Sequence, residues 1–333
     1  MLFGHSDKRN AAFLLIGCGL LAYLLFRLGP RDILALLLRI GWNFPLILAI
    51  YGAYTLLRAS TLSRCIAAEK HSSDYWDLVR IRLRGEAVQY LTFTGPFLAE
   101  PAKALLLRNR GLRATQAFAA TISEYLIYTF TSAAMALAGL IYLLDNFNVP
   151  RAGVIAAWIV IWIAGAFLTA SAVAIATRFY LIGTIINAAR SLPGIGRFIR
   201  IDKQALRDTE DLLFEVLRAR PGRFLVILAL ELVAQALLVT ELFVLLRAIG
   251  ENAPLSRPFL IESATKFIGV AFFFIPGQAG AAEAVYALIF KALGLSATAG
   301  FSLALARRLR SVVIAAAGLF FPAHTGEPNL QPP

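Results

Sequence analysis

Charge is scarce in this chain. Asp, Glu, Lys and Arg make up 16% of its 333 residues, where a soluble domain carries about a quarter. Cysteine is nearly missing: Cys18 and Cys65 are the two present, which excludes a disulfide framework and any Cys-based metal spacing. The three histidines, His5, His71 and His324, stand far apart, so no metal site is expected, because metals need clustered ligands. A phosphate-binding G-x-x-x-x-G-K-[ST] loop is absent, which excludes built-in nucleotide hydrolysis of that type. Asp74, Asp77, Asp208 and Asp211 fall in polar connectors, and metal-dependent transfer chemistry needs acids clustered at one place. No cofactor is expected, and the chain is not read as an enzyme.

Apolar residues, in contrast, reach 59%. They are gathered in blocks of about 20, the length that crosses hydrocarbon as helix. The blocks are Ala11–Leu28, Phe44–Ala67, Thr115–Leu144, Ala152–Thr177, Phe224–Leu246 and Ala297–Phe321. Lys8 and Arg9 precede the first, as in a signal peptide, but Cys18 falls mid-block and the run is long enough for a retained helix. Asp32–Trp42 reads as an interfacial helix, and Lys203–Arg218 as an amphipathic surface helix within a basic loop. Arg80, Arg82 and Arg84 read as a polar connector. Residues 1–321 form one integral membrane domain, and 322–333 a disordered tail.

The formal charge of +12 comes from loops between blocks. Arg64–Arg84, Arg108–Arg113 and Arg178–Arg223 all fall on one side if the N-terminus is cytoplasmic and Gly85–Leu107 enters and leaves on the same side. No nucleic-acid motif accompanies this charge.

Two stretches break the apolar pattern. Gly95-Pro96-Phe97-Leu98-Ala99-Glu100-Pro101-Ala102-Lys103 holds two prolines, a glycine and two charges inside an apolar run. Pro276-Gly277-Gln278-Ala279-Gly280-Ala281-Ala282-Glu283 does the same downstream. Proline interrupts helix hydrogen bonding, and charge within hydrocarbon marks function by default. Sliding the chain along itself until Glu100 falls on Glu283 also lays Gly111-Leu112 on Gly294-Leu295. From Glu100 to Leu126 about a third of the positions are then identical, without a gap. Such self-similarity is the mark of repeat transporters. The expected fold is all-α: a polytopic membrane helix bundle with two inverted repeats, cores about 85–144 and 259–321, each with a broken or re-entrant helical hairpin.

Half-helices starting inside a membrane present free N–H groups suited to phosphate, and arginine adds bidentate donors. The candidate lipid- or phosphate-binding residues are therefore Gly95, Glu100, Gly277, Gly280, Glu283, Arg307 and Arg308. Glu124 falls on Arg307 under the same shift and is expected to pair with it, because burying either alone is costly. Glu100 and Glu283 could equally be helix caps, and Lys103 is read as snorkelling to the interface.

At Gly85-Glu86 through Leu112, and at Ile275–Glu283 with Arg307-Arg308-Leu309, the chain resembles the flippase-like family: the transmembrane region of lysylphosphatidylglycerol synthases and their stand-alone relatives. That family's second motif has a Pro-Gly-Gly core, where this chain has Gln278 and Ala279 after Gly277. The resemblance implies a lipid translocase of the bacterial inner membrane. It would move an anionic phospholipid, polyprenyl-phosphate or related lipid, with a lipid-synthesis enzyme as a second partner. An intramembrane lipid transferase, or a non-transporting subunit of an envelope-lipid complex, is the alternative.

Overall fold

The computed structural model describes residues 31, 35, 38–66, 74–92, 96–180, 183–184, 186, 202–219, 221–266 and 281–320. The block Ala11–Leu28, the glycines Gly95, Gly277 and Gly280, and the tail from Pro322 lie outside them, as do residues 32–34 and 36–37 of the expected helix Asp32–Trp42. The described residues are helical and contain no strand.

Among the described residues the helices follow one another as α1 (Asn43–Cys65), α2 (Tyr75–Leu91), α3 (Pro96–Arg108), α4 (Ala114–Asn146), α5 (Arg151–Thr177), α6 (Lys203–Phe214), α7 (Pro221–Ala248), α8 (Ser256–Thr265), α9 (Ala281–Ala292) and α10 (Ala297–Phe320). Four of them, α1, α4, α5 and α7, are long and apolar enough to cross a membrane, so this is a multi-pass membrane protein. Helix α10 is 24 residues long, or ~36 Å at ~1.5 Å per residue, which also suffices in length. Its apolar run is interrupted by Arg307, Arg308 and Arg310.

Local chemistry explains several boundaries. Pro96 and Pro221 open α3 and α7, where a missing N–H costs nothing. Asp202 caps α6 by accepting from the Gln204 N–H at 3.1 Å. Helix α5 ends at Arg178 in the left-handed conformation. A π-turn, Glu215–Ala219, follows α6. Tyr180 and α6 are tied by the phenol donating to Asp211 at 2.7 Å.

The arginines read as a connector lie instead within helix α2. The reason is pairing along that helix. Asp77 meets Arg80 and Arg82 meets Glu86, at i,i+3 and i,i+4 spacing. Thr92 then turns to extended backbone, and α3 returns to pack on α2. From Pro96 on, the first stretch expected to be broken lies within α3, with Pro101 inside the helix.

The same local structure is built twice. Gly111 follows α3 at φ +90°, and Gly294 follows α9 at φ +69°, a conformation that glycine adopts without cost. Gly111 N donates to Arg108 O and Gly294 N to Lys291 O; Leu112 N donates to Leu107 O and Leu295 N to Phe290 O. Each member of these pairs stands at the same offset from its counterpart as Glu100 from Glu283. Packing repeats as well: α3 lies on α4 as α9 lies on α10, and α2 lies on α10 as α8 lies on α4. Helices α1 and α7 pack antiparallel, since Arg39 donates to Ile249 O at one end and Arg223 to Ile66 O at the other.

Two large apolar cores result. One gathers Ile47, Leu143, Leu246, Phe290 and Leu303. The other gathers Leu62, Leu78, Leu107, Ile127 and Ile227. Between them, along α1, α4 and α7, lies a layer of buried charge. Helix α5 packs on α4 and turns Ile159, Trp162 and Ile163 outward, as a lipid-facing helix does.

Close helix contacts hold this frame. A Cβ at Gly318 would overlap the Leu83 carbonyl, and one at Gly139 would overlap the Ser263 side chain. These are the α10–α2 and α4–α8 crossings. Gly318→Leu should therefore force α2 off α10 and cost about 1–3 kcal/mol. A melting temperature in detergent no lower than wild type would contradict this crossing.

Candidate functional site

The charged layer is organised around Glu124, midway along α4 and 0% exposed. Arg58 of α1 meets it at 2.9 Å, Lys103 of α3 donates to it at 2.9 Å, and Arg82 of α2 pairs with it as well. Arg58 also donates to Glu231 of α7 at 2.5 Å. Arg82 lies 3.3 Å from Glu86, and Lys103 lies 2.8 Å from Glu100. Lys103 therefore does not snorkel. The missing side chain at Gly85 lets its stem lie across α2, and its ammonium is drawn inward by two carboxylates.

A second network surrounds Arg307 of α10. Its guanidinium donates to Glu262 of α8 at 2.5 Å and to the Tyr286 hydroxyl of α9 at 2.8 Å, and lies 3.9 Å from Glu241 of α7. Lys266 meets Glu262 at 2.8 Å, and Arg310 pairs with Glu241. Arg308 meets Glu283 of α9 at 2.6 Å. Gln235 joins the two networks: it donates to Glu231 at 3.5 Å and accepts from Lys266 at 2.6 Å.

The expected Glu124–Arg307 pair is thus replaced. Each residue is satisfied by helices packed directly on its own, Glu124 by Arg58, Arg82 and Lys103, and Arg307 by Glu262 and Glu241. The two networks nevertheless correspond, with sign reversed. Arg58–Glu124 is matched by Glu241–Arg307, both positions moved by the offset that lays Glu100 on Glu283. Arg82–Glu124 is matched by Glu262–Arg307, and Arg82–Glu86 by Glu262–Lys266. For these α2 and α8 positions the offset is slightly shorter, because the register slips by about one helical turn between α8 and α9. Lys103–Glu124 is likewise matched by Tyr286–Arg307.

A cavity of about 130 Å³ opens beside the first network. Arg58, Arg82, Lys103, Glu86 and Glu100 reach it, with tyrosines from α1 and α4 around them. Arg58 packs over the Tyr128 ring at 4.6 Å, a favourable cation–π contact. The Arg58 and Arg82 side chains are 3% and 6% exposed. The Nε of each has no hydrogen-bond partner among the described residues. Buried donors normally find partners; these two N–H groups are enclosed, and it is the Arg58 and Arg82 guanidiniums and the Lys103 ammonium together that make the cavity wall cationic.

Of the predicted site residues, Glu100 lines this cavity. Glu283, Arg307 and Arg308 belong to the second network. Gly95, Gly277 and Gly280 lie outside the described residues. Arg82, Glu86, Glu262 and Lys266 were missed as site members. The signal that could have found them is opposite charge at equivalent positions, which an identity match does not register. Among the described residues no cluster of His, Cys, Asp or Glu could hold a metal ion.

The sequence matches the lysylphosphatidylglycerol synthase TM region over residues 11–318. The chain belongs to that family. No curated protein and no solved structure is significantly similar to it. Membership in this family ties the protein to membrane lipid chemistry. The buried network is then a feature of a lipid-related membrane domain.

Glu124 is the residue on which the first network depends. Glu124→Gln leaves Arg58, Arg82 and Lys103 short of their shared counter-charge. Breaking a buried pair costs about 3–5 kcal/mol. The variant should lose folded protein in detergent by size-exclusion chromatography and melting. A wild-type melting temperature would show that the network carries no such energy.

Proposed function

We propose that this protein moves a lipid with an anionic headgroup between leaflets. The headgroup is that of a phospholipid, a polyprenyl-phosphate or a related lipid. Movement draws on no ATPase of the chain's own, and the protein acts as a translocase and not as an enzyme. The observation that carries this reading is the buried cavity lined by the cationic side chains Arg58, Arg82 and Lys103. Phosphate oxygens match such donors in charge and geometry.

The antiparallel packing of α1 on α7 supports the view that the two halves are inverted repeats. The return of α3 onto α2 supports a re-entrant hairpin. Rocking of one half against the other would then expose the cavity to each leaflet in turn. The Glu283–Arg308 pair occupies the corresponding place in the second half. Family membership favours a bacterial inner membrane, and the basic loops favour a cytoplasmic N-terminus. A lipid-synthesis enzyme is the natural second partner.

Proteoliposomes containing a headgroup-labelled anionic lipid test this. Wild type should exchange the label across leaflets well above protein-free vesicles. Arg82→Gln, verified as folded, should slow exchange by about tenfold or more, the effect of losing ~1.4 kcal/mol of headgroup stabilisation. Exchange equal to protein-free vesicles for wild type would overturn the reading. A new lipid product from labelled donor and acceptor would instead establish a transferase.

A further inference from the structure

The two networks are unequal in charge. The first holds three cations, Arg58, Arg82 and Lys103, against four carboxylates, Glu86, Glu100, Glu124 and Glu231. The second holds three cations, Lys266, Arg307 and Arg310, against two carboxylates, Glu241 and Glu262. Arg308 and Glu283 balance each other. With every group ionised, the joined system is neutral. The first network keeps one surplus carboxylate, and the second one surplus cation.

The surplus acid can be located. Glu124 has three cations, Glu231 has Arg58 and Gln235, and Glu86 has Arg82 and the Tyr51 hydroxyl. Glu100 has Lys103 alone, 2.8 Å from its Oε2, and that ammonium is shared with Glu124 at 2.9 Å. Around Glu100 stand Lys103 on its own helix, Arg82 and Glu86 on α2, Arg58, Tyr51 and Tyr54 on α1, and Glu124, Tyr125 and Tyr128 on α4. Glu231 on α7 lies behind Arg58. Glu100 is the carboxylate with the fewest partners, and it faces the cavity.

We infer that Glu100 takes up a proton from the cavity, and that this proton and an anionic headgroup bind together. The proton goes from water to a Glu100 carboxylate oxygen. Lys103 is then held by Glu124 alone, and the joined network becomes net positive by one charge. A buried surplus cation is costly, and a phosphate in the cavity beside Arg58 and Arg82 removes that cost. By linkage, the anion must raise proton affinity as much as the proton raises anion affinity. This inference rests on the anion-binding reading above and adds the ion that accompanies the lipid.

The test uses the full chain in zwitterionic detergent, with short-chain phosphatidylglycerol as probe and short-chain phosphatidylcholine as control. Calorimetry in buffers of different ionisation enthalpy counts protons taken up on binding. Wild type should take up protons on binding the anionic lipid, up to one each, with affinity falling as pH rises by up to about tenfold per pH unit. Glu100→Gln mimics the protonated acid. It should bind with pH-independent affinity and no proton uptake, while Asp145→Asn, at an exposed acid outside both networks, retains uptake. Anion binding without proton uptake in wild type would overturn the inference and leave the lipid reading standing. Uptake kept in Glu100→Gln would overturn the residue assignment. If phosphatidylglycerol does not bind at any pH, the lipid reading fails. Infrared difference spectra on acidification then decide the proton site: a carboxylic acid band present in wild type and absent from Glu100→Gln supports it, and an unchanged band overturns it.

Discussion

A charged side chain in hydrocarbon is tolerated when a partner sits beside it, and that constraint shapes this protein more than any apolar contact. Helices α1, α2, α3 and α4 each bring at least one charge to a common level, and Glu124 receives three of them. Removing water from these groups costs several kcal/mol per ion. The helices must then pack so that every charge finds its counterpart. Apolar cores close the bundle on either side of this layer. They can form in many registers, whereas the ion pairs can form in few.

The second half solves the same problem with opposite signs. Where α4 carries an acid at Glu124, α10 carries a base at Arg307, and the partners on α1 and α7, and on α2 and α8, are exchanged to match. Coulomb attraction does not depend on which partner is positive, so one backbone arrangement serves both polarities. The consequence is chemical. The cavity beside the first network is walled by Arg58, Arg82 and Lys103, which share the acid Glu124.

The joined network is also close to a tipping point. Six cations and six carboxylates meet through Gln235, so one proton or one bound anion changes its net charge. Glu100, held by one lysine that it shares with Glu124, is where the balance is weakest. It stands on α3, a helix of 13 residues that packs on both α2 and α4.

Much of the frame was legible in the residues. The apolar blocks marked α1, α4, α5 and α7, because about 20 apolar residues in a row have few other fates. Gly111 and Gly294, at equivalent positions, marked the two turns, since a positive φ favours glycine wherever the turn occurs. Glu100 was legible as an anomaly, being a charge in an apolar run. Partnership was not legible. Arg82 looked like connector charge, because its relevant neighbour, Glu124, is 42 residues away. Lys103 looked free to reach the interface, because nothing local shows that Gly85 opens room for it over α2. Glu124 and Arg307 looked like partners because the self-alignment lays one on the other, yet each is paired by the helices packed on its own. Composition and periodicity determine which segments become helices in a membrane. Which charge answers which is decided only when those helices are set side by side, since pairing depends on distance in space and not along the chain.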